Sequence, residues 1–364
     1  MDQRRTSAIA FSMTKDIAAH GNRKPTAVDA LPKAEIHLHL EGSIRPETAV
    51  ELASRHGDKI AAEEVARRYR YADFAGFIEA FKWVTSYLRE PNDYRVIVGA
   101  LAEELIRQNV VYAEITISAG VMRLRKQHVE ANFEVICDTA RQFASRGLRT
   151  AWIFDAARQF GADPAMEVAQ IAAKLRNQGV VAFGMGGDEL AFPAAHFRAA
   201  FDRARNAGLR IVCHAGETGR PDSVRDAIEI LGAERVGHGI GVMHDSALAE
   251  LCVERGIVLE NCITSNLCTG ALAKQTGKPN PSLADHPLPE FLKRGVPVAL
   301  STDDPAMFHT DLLSEYSKAA SLGLSGSQLV ALAEQSFHAA FLPASDKRVL
   351  LDQFRSAAKS APLV

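Results

Sequence analysis

The chain lacks a C-x-x-C pair, and its five cysteines (Cys137, Cys213, Cys252, Cys262, Cys268) are odd in number and scattered. That suggests neither a thiolate zinc site nor a disulfide framework and leads to the expectation of a reducing cytoplasm. There is no charge excess either: 42 Lys and Arg stand against 44 Asp and Glu. No field invites a polyanion, and nucleic acid is not expected as a partner. Apolar runs such as Val296 to Leu300 fall far short of the roughly 18 residues of a membrane helix, so no membrane association is expected. Low-complexity tracts, internal repeats and a G-x-G-x-x-G turn are also missing. What remains is an ordinary globular composition, 47% hydrophobic and 24% charged over 364 residues, enough to bury a large core.

Residues 1–30 carry Arg4, Arg5 and a short apolar stretch from Ala8 to Phe11, too brief for a signal-peptide core. They are expected to form a flexible arm, with residues 31–360 as one domain. In that domain, eight short apolar runs alternate with helix-period segments. The runs are Ala34 to Leu40, Val111 to Ser118, Leu148 to Asp155, Val180 to Met185, Leu209 to His214, Arg235 to Gly239, Ile257 to Ile263 and Val296 to Thr302. Gly147, Gly179, Gly208 and Gly256 stand where a helix must end before the next strand. Parallel strands need crossover helices and eight close a sheet, so the spacing predicts an α/β (β/α)8 TIM barrel. A doubly wound open sheet is the structural competitor, but the first run ends in histidines rather than in the glycine turn of that fold. Two insertions, residues 45–90 after the first strand and Gly270 to His286 after the seventh, fall on the face where barrel active sites sit.

His37-Leu38-His39 ends the first run, and residues two apart on a strand share a face, so both imidazoles can reach one ion. By itself an H-x-H motif is equally compatible with two satisfied polar histidines. His214 ends run five, His238 run six, and Asp303-Asp304 run eight. In a closed barrel these ends converge on one rim. Three imidazoles and a carboxylate suit zinc and leave a position for water. His37, His39, His214 and Asp303 are therefore assigned to one Zn²⁺, and His238 with Asp304 to the water. Glu217, in His-Ala-Gly-Glu, is either a proton donor whose pKa is raised in the mouth or a carboxylate favoured by a helix N-terminus. Gly186-Gly187 either lets a flat ligand approach the backbone or merely makes a turn.

Leu31-Pro-Lys-Ala-Glu-Ile-His-Leu-His-Leu-Glu-Gly42, His214-Ala-Gly-Glu217, Gly237-His238-Gly239, Thr264-Ser-Asn266 and Ser301-Thr-Asp-Asp-Pro305 follow one another as in the adenosine and adenine deaminase family of zinc amidohydrolases. The chain resembles that family from about residue 31 to 340. The resemblance implies a hydrolase that deaminates C6 of a 6-aminopurine, with the zinc ligands named above. It implies that Glu217 protonates purine N1, that Asp304 and His238 orient and deprotonate the water, and that Gly187 offers its N–H to N3. It makes Phe74, Phe77, Ile78 and Phe81 of the first insertion, whose spacing by itself reads first as an amphipathic helix packed on the barrel, candidates for an apolar lid.

One position departs from the adenosine pattern. Glu41 stands where an aspartate usually meets the ribose 5′-hydroxyl, and so it is a substrate-binding candidate. Glutamate there is shared with relatives acting on adenine or on aminodeoxyfutalosine, a nucleoside with an aromatic carboxylate at its ribose end, and the chain looks closest to the latter. The expected function is deamination of adenosine or a 5′-modified analogue. The alternatives are adenine deaminase and a catalytically silent nucleoside binder. Oligomeric state is not legible.

Overall fold

The computed structural model describes residues 23–71 and 73–360. Eight strands pair in chain order: β1 (Lys33–His39), β2 (Val110–Ile117), β3 (Arg149–Ala157), β4 (Val180–Gly186), β5 (Arg210–Ala215), β6 (Arg235–His238), β7 (Val258–Asn261) and β8 (Val298–Leu300). Each pairing is parallel. The ring closes at Asp303, whose N–H donates to the His37 carbonyl at 3.0 Å while the His39 N–H donates to the Asp303 carbonyl at 2.8 Å. The expected (β/α)8 barrel is the observed one. Its strands are buried on both faces, as a parallel sheet wrapped in helices requires, and every residue of β1 is buried.

The insertion after β1 holds α1 (Pro46–Arg55), α2 (Ala62–Arg68) and α3 (Phe74–Thr85), before the crossover helix α4 (Pro91–Arg107). Asp73 caps α3, its carboxylate accepting from the Gly76 N–H at 2.9 Å, as N-cap aspartates do. The outer ring continues with α5 (Ala119–Leu124), α6 (Val129–Arg141), α7 (Ala162–Leu175), α8 (Arg198–Asn206), α9 (Asp222–Glu229) and α10 (Ser246–Arg255). α11 (Ile263–Cys268) follows β7 directly, the second insertion contributes α12 (Ala271–Thr276), and α13 (Leu288–Lys293) leads to β8. Helices α14 (Leu312–Ser321), α15 (Gly326–Ala339) and α16 (Ala344–Ser360) follow β8 among the described residues.

Two expectations are corrected. Strands β6, β7 and β8 are shorter than their apolar runs, because the chain leaves the ladder to form the site: His238 and Asp303 adopt left-handed φ of 61° and 68°, and Ile263 already begins α11. The flexible arm expected over 1–30 lies partly outside the described residues, and over 23–30 the chain packs against the barrel. Val28 is fully buried, and Lys33 Nζ donates to the carbonyls of Val28, Asp29 and Leu31 at 2.9, 3.0 and 2.6 Å.

Candidate active site

Alternation along β1 turns Glu35, His37 and His39 toward the barrel axis, and closure brings the rim of β1 against that of β8. The His37 ring centroid lies 4.6 Å from that of His214, 5.5 Å from His39 and 5.2 Å from His238. Nε2 of His37 and of His39 face Asp303 Oδ1 at 3.4 and 3.2 Å. Potential ligand atoms of His37, His39 and His214 lie within 4.8 Å of one another, as do those of His37, His238 and Asp303, of His39, Asp303 and Asp304, and of His214, Glu217 and His238. All seven residues expected to bind metal or do proton chemistry are thus in one place.

The donor set fits a metal ion. Nε2 of His37 and Nε2 of His39 are buried and make no hydrogen bond, although a buried polar atom without a partner is costly. They are aimed where a cation would satisfy them. Burial works against charge on these rings, but Asp303 and Glu260 outweigh it at His37, raising its pKa to about 10. Asp304 and Asp303 do the same at His39, raising it to about 9. A bound cation takes the place of those protons. Burial and the neighbouring imidazoles push His214 well down, so it is neutral. Asp303, despite its burial, is held well below the usual carboxylate range by His37 and His39.

A cavity of about 620 Å³ opens over this cluster. His39, His214, Glu217, His238, Asp303 and Asp304 form part of its lining, as do Gly187 and all four lid candidates, Phe74, Phe77, Ile78 and Phe81. The Phe77 ring stacks on Phe308 at 5.1 Å, so the insertion helix both packs on the barrel and roofs the cavity. Gly187 has φ +93°, a conformation that favours glycine, and a Cβ there would displace the end of the Gln159 side chain. Gly42 is required by packing, since its Cβ would fall 1.7 Å from Asp304 Oδ1 and 2.5 Å from Asp304 Cβ.

Glu217 is half-buried beside Glu189, and desolvation first, then that neighbouring charge, push its pKa well above the ordinary value. It is placed by its own N–H, which donates to Glu189 Oε1 at 2.8 Å. Burial and Asp303 push Asp304 up as well, and burial pulls His238 down to about 4. Glu41, expected as a substrate contact, is not among the residues lining the cavity. Its carboxylate is buried under Ser118, accepting from the Ser118 N–H at 3.1 Å and the hydroxyl at 3.2 Å. Ser118 lines the cavity in its place.

Several supporting residues carried no legible signal of their own. Glu260 accepts from His37 Nδ1 at 2.6 Å and is paired with Arg235 at 2.5 Å, which pairs with Glu114 at 2.6 Å. Ser265 Oγ donates to Asp303 Oδ2 at 2.7 Å. Asp155, at the end of β3 and on the cavity wall, is pushed by burial up to about 7. A buried charged residue inside a strand run was the available cue for Glu260 and Asp155. Ser265 and Asn266 lay in a quoted motif without a role attached.

Residues 32–357 match the family described as adenosine deaminase. The aminodeoxyfutalosine deaminase of Streptomyces avermitilis is 39% identical over 349 residues, covering 92% of this chain and 95% of that protein. The crystal structure of adenine deaminase from Arthrobacter aurescens superposes with a TM-score of 0.82 at 29% identity, covering 91% of this chain and all of that one. A Burkholderia ambifaria amidohydrolase solved with bound Zn gives a TM-score of 0.82 at 25% identity, over 94% of this chain and 97% of that one.

Proposed function

The chain belongs to the adenosine deaminase family, and from that premise we propose that it is a zinc-dependent hydrolase that removes the C6 amine of a 6-aminopurine nucleoside as ammonia. The substrate is adenosine or, better, an analogue extended at its 5′ end such as aminodeoxyfutalosine. The observation that carries this reading is the convergence of His37, His39, His214 and Asp303 with Glu217, His238 and Asp304 at the floor of one apolar-walled cavity.

The three imidazoles and Asp303 would hold the ion. When bound, zinc supplies a Lewis acid and lowers the pKa of a water toward neutrality. The protein's groups do the rest. Glu217, whose pKa desolvation and the neighbouring Glu189 push well up, gives its proton to purine N1, which makes C6 electrophilic. His238 and Asp304 face the side from which water attacks. The Gly187 N–H reaches the purine edge at N3, and Phe74, Phe77, Ile78 and Phe81 cover the base and exclude bulk water.

The extended substrate is favoured by the remaining lining. A volume of about 620 Å³ is that of a site for a whole ligand rather than a bare ring. Lys82 and Arg125 are the cationic side chains of its wall other than histidine. Among the described residues Arg125 pairs with no carboxylate; it donates instead to the Lys82 and Thr85 carbonyls and to Thr85 Oγ1. Apolar walls with such a cation suit an aromatic carboxylate at the ribose end. The test is turnover of adenine, adenosine and aminodeoxyfutalosine by purified protein, followed by ultraviolet absorbance, with metal content measured on the same sample. Preference for aminodeoxyfutalosine is the expected result. Preference for adenine would replace the nucleoside reading by that of an adenine deaminase. Purine binding without zinc or turnover would identify a silent binder.

A further inference from the structure

The two nitrogens of an imidazole exchange donor and acceptor roles, so what a histidine does in a reaction is set by whatever bonds the nitrogen turned away from it. For His238 that partner is Asn266, whose side-chain nitrogen lies 3.1 Å from Nδ1. Alone, this contact is ambiguous, because a carboxamide can be turned end for end. The next two bonds remove the ambiguity. Asn266 Oδ1 lies 3.1 Å from Nε2 of His286, and His286 Nδ1 is 3.2 Å from the backbone N–H of Leu288.

A backbone N–H can only donate. His286 Nδ1 therefore carries a lone pair, and the proton of its ring sits on Nε2. Burial, which pulls His286 down to about 3, agrees with a neutral ring. That Nε2–H needs an acceptor, so Asn266 meets it with oxygen and turns its NH2 to His238. His238 Nδ1 must then accept, which requires a neutral ring with its proton on Nε2. This is the atom that faces Glu217 Oε1 at 3.6 Å and Asp303 Oδ2 at 3.8 Å. All three side chains of the relay are buried, so water does not compete for these bonds. The anchor, His286, comes from the insertion after β7, a histidine for which no role was legible in the sequence.

We propose that His286 and Asn266 are positioning residues that pin the proton of His238 on Nε2, so that His238 donates a hydrogen bond to the oxygen attacking C6 and does not take its proton. The water proton then goes to a carboxylate of the rim, Asp303 or Asp304, both of which line the cavity. In the attack step the C6–O bond forms from a lone pair of water, N1 takes the proton of Glu217, the rim carboxylate takes the water proton, and His238 keeps its own. This division of labour rests on the deaminase reading above; the tautomer itself does not.

The experiment is nitrogen-15 NMR of the full, zinc-loaded chain labelled in histidine, where two-bond couplings separate the Nε2–H from the Nδ1–H form. The His238 signals are identified by their loss in His238→Gln. Nε2–H patterns at both His238 and His286 are expected; an Nδ1–H pattern at His238 would overturn the proposal. Asn266→Asp has the same shape but offers His238 Nδ1 an acceptor, drawing the proton to the wrong nitrogen. A wrong histidine tautomer costs up to about 10⁴ in a serine-protease triad. We expect kcat to fall on the order of 10² or more, with zinc content and KM retained, as for an interaction made only in the transition state. A wild-type kcat in this variant would also overturn the proposal. Should Asn266→Asp not fold, the tautomer of the unsubstituted chain decides alone. Because that readout needs no turnover, its failure would leave the deaminase reading standing.

Discussion

Glu260→Gln probes the support of the proposed metal site without touching a ligand. Glu260 bridges His37 Nδ1 at 2.6 Å and Arg235 Nε at 2.5 Å, and all three residues are buried. His37 Nδ1 donates to one carboxylate oxygen and the Arg235 guanidinium lies against the other as an ion pair, so a carboxylate suits both neighbours. An amide cannot: whichever way it is turned, its NH2 faces an N–H. Carboxylates behind ligating histidines orient the ring and raise its basicity, and losing one costs about 10 to 100-fold in metal affinity, or about 1.4 to 2.7 kcal/mol. Breaking a buried ion pair costs about 3–5 kcal/mol. Arg235 keeps Glu114 at 2.6 Å, which places the loss of folding stability near the lower end. Zinc affinity by competition with a chromogenic chelator, together with urea unfolding of the metal-free chain, measures both effects. Unchanged zinc affinity in a folded variant would refute the reasoning.

Glu217→Gln keeps the shape but not the transferable proton. Its turnover should fall by about 10²–10⁴ with zinc retained, and a near wild-type rate would remove Glu217 from proton transfer. In Gly237→Ala the new Cβ would lie 2.6 Å from His37 Cε1; displacement of that ring should appear as reduced zinc content on elemental analysis. Ile78→Ala, on the cavity roof and partly exposed, should raise KM more than it lowers the melting temperature, and the opposite pattern would assign the residue to packing alone. Burial raises Glu35 to about 8, so the folded chain keeps a proton that the unfolded chain loses near 4.5. Between these values the unfolded state binds fewer protons, and stability falls as pH rises, by at most about 1.4 kcal/mol per pH unit. Metal-free Glu35→Gln should flatten that decline in urea unfolding from pH 5 to pH 8; an unaltered slope would mean that Glu35 is already ionised.

The alternation of apolar runs with helix-period segments was enough to name the barrel, because burial of a parallel strand and the crossover behind it are written locally. The metal and proton-transfer candidates were legible for the same reason, each standing at the end of a run whose C-terminal rim is the active face of this fold. Exact strand ends were not, since the left-handed turns at His238 and Asp303 arise from closing the ring rather than from local propensity. The tertiary structure alone decided that Glu41 is buried under Ser118, that Glu260 and Arg235 stand behind His37, and that Leu288, His286 and Asn266 orient His238. Those contacts join residues far apart in the chain, or depend on which atom of a side chain faces which neighbour, and neither spacing nor residue type encodes a direction for a hydrogen bond.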